Sequence, residues 1–96
     1  MISFILSSLI LVTFYLPTGN RMADGHFPRP GVAACPQWMA LGTYVLLEGS
    51  GLLYCGDRYA DWLTEPRIDV FVISEPSLER RRALSGQHLY AIVEEP

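Results

Sequence analysis

The stretch Tyr44-Val45-Leu46-Leu47-Glu48-Gly49-Ser50-Gly51-Leu52-Leu53-Tyr54-Cys55 decides the fold class. Two short apolar runs, 44–48 and 52–55, flank a glycine-serine-glycine turn, whose glycines can take the positive φ that a tight hairpin needs. Upstream, 31–34 reads as a strand ended by Pro36. Val12-Thr13-Phe14-Tyr15 reads as a β-branched and aromatic strand closed by the turn residues Pro17-Thr18-Gly19-Asn20. Downstream, 68–73 is apolar apart from Asp69, and 89–93 forms a last strand before the acidic Glu94-Glu95-Pro96. Between these two, Glu75-Pro76-Ser77 opens the one good helix candidate, with strong helix formers over 79–84 and Gly86 to stop it. Six short strands and one small helix in 96 residues predict an all-β closed barrel, because closure removes the unpaired edges that a small sheet cannot hide.

Composition narrows the function classes. A chain of this length is one domain. With half its residues apolar and 18% charged, it is too hydrophobic to be disordered. The net charge is −3 and all seven basic residues are arginines, which argues against a nucleic-acid partner. The Arg80-Arg81-Arg82 run reads as the solvated face of the helix. No phosphate-binding glycine loop or dinucleotide fingerprint is present, so no cofactor is expected. His26 and His88 have no Ser or Cys partner in a motif and read as surface or strand-edge residues.

Residues 1–16 carry no charge and are dominated by Ile, Leu, Phe and Val. They are too short for a membrane-spanning helix and long enough for the apolar part of an export signal. No Lys or Arg precedes the run and no small-residue cleavage site follows it. We therefore read 1–11 as a degenerate or truncated signal and 12–96 as the barrel, with a wholly internal strand as the other reading. A membrane partner is expected only if that segment is an uncleaved anchor.

Cys35 and Cys55 stand twenty positions apart, outside any zinc-ligand spacing, so no metal is expected. A disulfide suits the pair better, and two buried free thiols in a reducing compartment remain the alternative.

The pieces of the chain also resemble a known family in their order. Gly31-Val32-Ala33-Ala34-Cys35-Pro36 is followed by Leu41-Gly42-Thr43-Tyr44-Val45, Glu48-Gly49-Ser50-Gly51, Asp57-Arg58 and Arg67-Ile68-Asp69-Val70-Phe71. This order resembles the 3D (three-Asp) domain, a double-psi β-barrel found in membrane-bound lytic transglycosylase A and stationary-phase muralytic proteins. Thr13-Phe14-Tyr15 and Met22-Ala23-Asp24-Gly25 extend the likeness to about residues 12–93. There are departures. Cys35 stands at the family's first aspartate, Ala40 at its proline, and Tyr59 and Ala60 at its Gly-Gly pair, while the Asp57 to Asp69 spacing is one residue longer. Cys35 in place of a carboxylate, with Cys55 near in the hairpin, makes a Cys35–Cys55 disulfide the economical reading and points to a secreted or cell-envelope location.

The resemblance implies cleavage of the glycan strand of peptidoglycan, with Asp69 as general acid/base. A partly desolvated carboxylic acid can protonate a glycosidic oxygen. In lytic transglycosylases the sugar's own 6-hydroxyl then attacks the anomeric carbon, so no second carboxylate has to activate water. Asp57 would assist as stabiliser or orienter. Tyr15, Thr43, Arg58 and Trp62 are candidate substrate contacts, and Trp38, Tyr59 and Tyr54 offer further flat faces for sugar rings. Each has a bland reading: Asp57 as a turn residue, Asp69 as a buried carboxylate paired with Arg67 or Arg58, the aromatics as core. A noncatalytic module that binds wall glycan is the alternative function, and a structural or assembly protein is a third.

Overall fold

The computed structural model describes residues 3–94 as a closed six-stranded mixed β-barrel with one short helix, the fold class expected. The strands are β1 (Ser3–Tyr15), β2 (Val32–Ala34), β3 (Tyr44–Leu47), β4 (Gly51–Asp57), β5 (Arg67–Phe71) and β6 (Gly86–Glu94), with helix α1 (Glu75–Arg82) between the last two. Around the barrel the order is β1-β5-β2-β4-β3-β6, and β6 closes onto β1. Pairs β1·β5 and β2·β4 are parallel; the other four are antiparallel.

Alternation along each strand builds the interior. Ile10 and Val12, Ala33, Val45 and Leu47, Leu53 and Cys55, Ile68 and Val70, and Tyr90 point inward from the six strands in turn and form one core. A fully buried aliphatic side chain contributes about 1.5–3 kcal/mol, so this layer dominates the stability. The hairpin forms as expected: Leu47 pairs with Gly51, and Gly49 and Gly51 hold φ of 82° and 81°.

A smaller second cluster lies on the outer surface. The connection over residues 16–31 lays Met22 against Val32 and Phe71, with Tyr15 and Tyr54 packed beside them. Ala23 and Asp24 tie this connection to the end of β4, through bonds from Ala23 N–H to Asp57 and from Asp24 N–H to Gly56 O.

Several boundaries differ from the sequence reading. β1 begins at Ser3, so the apolar stretch over residues 3–11 is strand, paired with β6. Its neighbour supplies the missing cue, because β6 also starts early, at Gly86, and runs antiparallel to it. Residues 1 and 2 of the segment read as a signal, and residues 95 and 96 of the acidic end, lie outside the described residues. β5 stops at Phe71, where Val72 N–H turns to Tyr15 O. α1 is capped by Ser74 and has Pro76 in its first turn, but it ends at Arg82, and Gly86 opens β6. Its single buried residue is Leu78.

The Cys35–Cys55 disulfide is present, with 5.7 Å between the Cα atoms. It joins the residue that follows β2 to the inward face of β4. Both cysteines are fully buried.

Candidate functional site

Asp69 belongs to β5, whose Ile68 and Val70 fill the core, so alternation turns the carboxylate to the outer face. In the parallel pair with β1 it lies opposite Thr13, whose hydroxyl donates to Asp69 Oδ1 at 3.0 Å. On its other side Asp69 lies opposite Ala34, and Ala34 lies opposite Asp57. Thr13, Asp69, Ala34 and Asp57 therefore form one row across four neighbouring strands. Adjacent strands are about 4.8 Å apart, which puts the two aspartates roughly 10 Å apart along the row, with only a methyl group between them.

Asp57 reaches this row through a bulge. Two residues after the inward Cys55 it would point into the core, but the register shifts between Ala33 and Ala34 and makes Gly56 the extra residue. A one-residue slip exchanges faces, so the bulge moves Asp57 to the outside. Gly56 suits the position for a second reason. A Cβ there would lie 3.0 Å from Asp24 Oδ2, 3.1 Å from Met22 Cε and 3.2 Å from Tyr54 Cε1.

The two carboxylates are held differently. Asp57 Oδ1 accepts two backbone N–H bonds, from Ala23 at 3.0 Å and from Arg58 at 2.8 Å. Asp69 accepts a single bond among the described residues, from Thr13. Burial holds the Asp69 carboxyl above its ordinary range; the Thr13 hydroxyl and the Arg67 guanidinium oppose the rise, and the Asp57 charge adds to it. Because Oδ1 accepts from Thr13, the proton of the acid form is left to Oδ2.

Tyr15, two residues beyond Thr13 on the same face of β1, completes the group. Its phenol is pushed well above its ordinary value by burial and then by the charges of Asp57 and Asp69. The hydroxyl is buried and approaches Asp57, which adds to the rise, without closing a full hydrogen bond. Tyr15, Asp57 and Asp69 line a cavity of about 410 Å³, along with Ala34, Arg21 and Arg58.

Other candidates sit around this centre. Arg58 lines the cavity but spends its guanidinium on the main chain, donating to Pro36 O at 2.7 Å and Cys35 O at 3.2 Å. It forms no ion pair with Asp69. Arg58, Tyr59, Ala60 and Leu63 form a ridge shared with a second cavity of about 320 Å³, which Trp38 also lines. Trp62 is 78% exposed on the connection beyond that ridge and lines neither cavity. Tyr54 belongs to the outer cluster. Thr43 does not line the carboxylate cavity; it sits in the turn before β3, donating its N–H to Ala40 O and accepting from Cys55 N–H.

Thr13, Ala34 and Gly56 carry the geometry, yet the sequence reading gave them no role in the site. Signals existed for two of them. A Thr two residues before a Tyr in an apolar strand marks a polar face, and a glycine within a strand marks a bulge. Among the described residues no group of three or more His, Cys, Asp or Glu is set to hold a metal ion, and no helix is long and apolar enough to cross a membrane. Neither a protein-family model nor a curated protein matches the chain.

Proposed function

We propose that this protein cleaves the glycan strand of peptidoglycan in the manner of a lytic transglycosylase, with Asp69 as general acid/base. The observation that carries the reading is the state of Asp69: half-buried, with a raised pKa, one oxygen held by Thr13, and facing a cavity it shares with Asp57. The likeness of its motifs to the 3D domain supports the same assignment.

In this reading the protonated Asp69 gives its proton to the glycosidic oxygen as the bond from that oxygen to the anomeric carbon breaks. The leaving sugar departs as an alcohol, and positive charge develops at the anomeric centre, where the Asp57 carboxylate favours it. The 6-hydroxyl of the same sugar then attacks the anomeric carbon and its proton passes to the Asp69 carboxylate. The acid is restored and the product is a 1,6-anhydro end. Thr13 keeps the carboxyl oriented through both steps, and Arg58 keeps the cavity wall in place by holding Cys35 and Pro36.

Digestion of purified sacculi followed by mass spectrometry tests this. Fragments lighter by one water than hydrolysis products are expected from the native chain, and none from a folded Asp69→Asn variant. An untouched sacculus in the presence of folded native protein refutes it.

A second reading is a noncatalytic module that binds wall glycan. It is favoured by the exposed Trp38 and Trp62 near the shared ridge and by the engagement of Asp57 Oδ1 with two amides. Retention on insoluble peptidoglycan without release of soluble sugar distinguishes it.

A further inference from the structure

We propose that the end of the barrel built from α1, the β3–β4 hairpin and the start of β6 docks on an anionic lipid bilayer, with Arg80 and Arg81 meeting the phosphates and Leu52, Ile73 and Leu84 entering the headgroup boundary.

An open cleft of about 560 Å³ lies at this end, and all five of these side chains line it. Ile73, Leu84 and Leu52 are 64%, 52% and 45% exposed, unusual for large aliphatic residues gathered in one place on a small domain. The apolar surface continues outward. Leu46, also exposed, lies opposite Leu52 in the β3–β4 ladder.

Charge selects the partner. Three of the seven arginines occupy the last turn of α1 although the chain as a whole is acidic. None of the three forms an ion pair with a carboxylate among the described residues. Glu48, the acidic residue of the hairpin, accepts from Leu89 N–H through Oε1, which also lies 3.8 Å from His88 Nδ1. A cationic cluster beside exposed aliphatic side chains fits a negatively charged membrane surface. A second copy of the chain fits poorly, because a twofold contact through this patch would set one arginine cluster against its equal.

The patch is also held rigid. His88 stands between the hairpin and the helix end, its ring nitrogens 3.2 Å from Glu48 O and 2.6 Å from Leu84 O, and Arg81 donates to Gly49 O. Gly51 and Asp57 mark opposite ends of β4, roughly 20 Å apart for a strand of this length. Docking by the hairpin end therefore leaves Asp57, at the far end of β4, away from the bilayer.

Flotation with vesicles tests the proposal. Binding is expected to phosphatidylglycerol and phosphatidylcholine in equal parts, not to phosphatidylcholine alone, and should fall with added salt. The Arg80→Glu/Arg81→Glu double variant should bind about tenfold more weakly or worse. Ile73→Ser/Leu84→Ser should also bind more weakly. All four positions are at or near the surface and Arg81 gives up one long, exposed bond, so both variants should keep the native circular dichroism and a cooperative melt. Absence of binding to the anionic vesicles, equal binding to both kinds, or native-strength binding by the arginine variant overturns it. So does a dimer in solution that Ile73→Ser abolishes.

Discussion

Asp57 and Asp69 face the same cavity from strands that are not neighbours, with Ala34 of the intervening strand lying opposite each of them. The geometry gives the two carboxylates unequal duties. Asp57 is anchored through one oxygen by two backbone amides, whereas Asp69 keeps an oxygen for the cavity.

That difference separates two substitutions at position 57. Asp57→Asn keeps an oxygen for the Ala23 and Arg58 N–H groups, so the fold should survive with little loss. Removing its charge takes away one contribution that raises the Asp69 pKa. The Asp69 carboxyl should then titrate at lower pH, which carbon-detected NMR of the labelled side chain reads directly. Asp57→Ala should cost about 1 kcal/mol more, because two N–H groups lose their acceptor and the exposed one at Ala23 can turn to water. Equal stability of the two variants in urea would contradict this division.

Asp69 itself should make the fold weaker as pH rises. Its folded-state pKa lies above the unfolded value, so between the two values the folded chain binds more protons than the unfolded one. The carboxyl costs nothing below the unfolded value of about 3.9. The cost grows as pH climbs through the folded value. An Asp69→Asn variant has no such dependence, so its stability relative to the native chain should increase from acid to neutral pH. Urea midpoints measured across that window check the sign, and a constant difference refutes it.

Much of the barrel was legible because its cues are local. Gly49-Ser50-Gly51 announces a hairpin through backbone freedom alone, and Ile68-Asp69-Val70 announces an outward carboxylate through alternation alone. The extent of β1 was hidden because an apolar run with few polar interruptions looks the same in an export signal and in a strand. Its identity as strand depends on β6, more than seventy residues away. The face of Asp57 was hidden for a related reason. Counting from Cys55 sends it inward, and only the register with β2 reveals that Gly56 is supernumerary. The disulfide was open to two readings from spacing, and its partners meet because β2 and β4 pair in parallel.

Gly56→Ala isolates the bulge. Backbone conformation does not forbid a side chain here, since Gly56 is not among the glycines with positive φ. The obstacle is the close approach of Asp24, Met22 and Tyr54. Relieving it must shift those three side chains by a few tenths of an ångström and loosen the seat of the 16–31 connection on β4. A destabilisation of about 1–3 kcal/mol is expected, together with faster hydrogen exchange at Ala23 and Asp24. Unchanged exchange at those amides would show that the connection does not depend on the missing side chain.

Opening the disulfide tests how much the barrel leans on it. Its sequence separation of 20 residues corresponds to about 3 kcal/mol of loop entropy. Both sulfurs sit in the core, so Cys35→Ala/Cys55→Ala also loses packing. The double variant should melt well below the native chain. Reductant should act slowly on the folded protein and quickly once urea exposes the bond, as thiol labelling over time would record.

Tyr15→Phe should do the reverse of most core substitutions. The Tyr15 hydroxyl is buried beside two carboxylates and approaches Asp57 without closing a full hydrogen bond. An unsatisfied buried hydroxyl carries a desolvation cost of about 1–3 kcal/mol. The ring meanwhile keeps its edge-to-face contact with Phe71 at 5.6 Å between centroids. Phenylalanine preserves that contact and removes the cost, so the variant should be as stable as the native chain or more stable by about 1 kcal/mol. Its sacculus digestion should fall if the hydroxyl orients Asp57 when glycan is bound. A clear loss of stability without any change in digestion would mean that the hydroxyl already has a partner in the free protein, and would remove Tyr15 from the site.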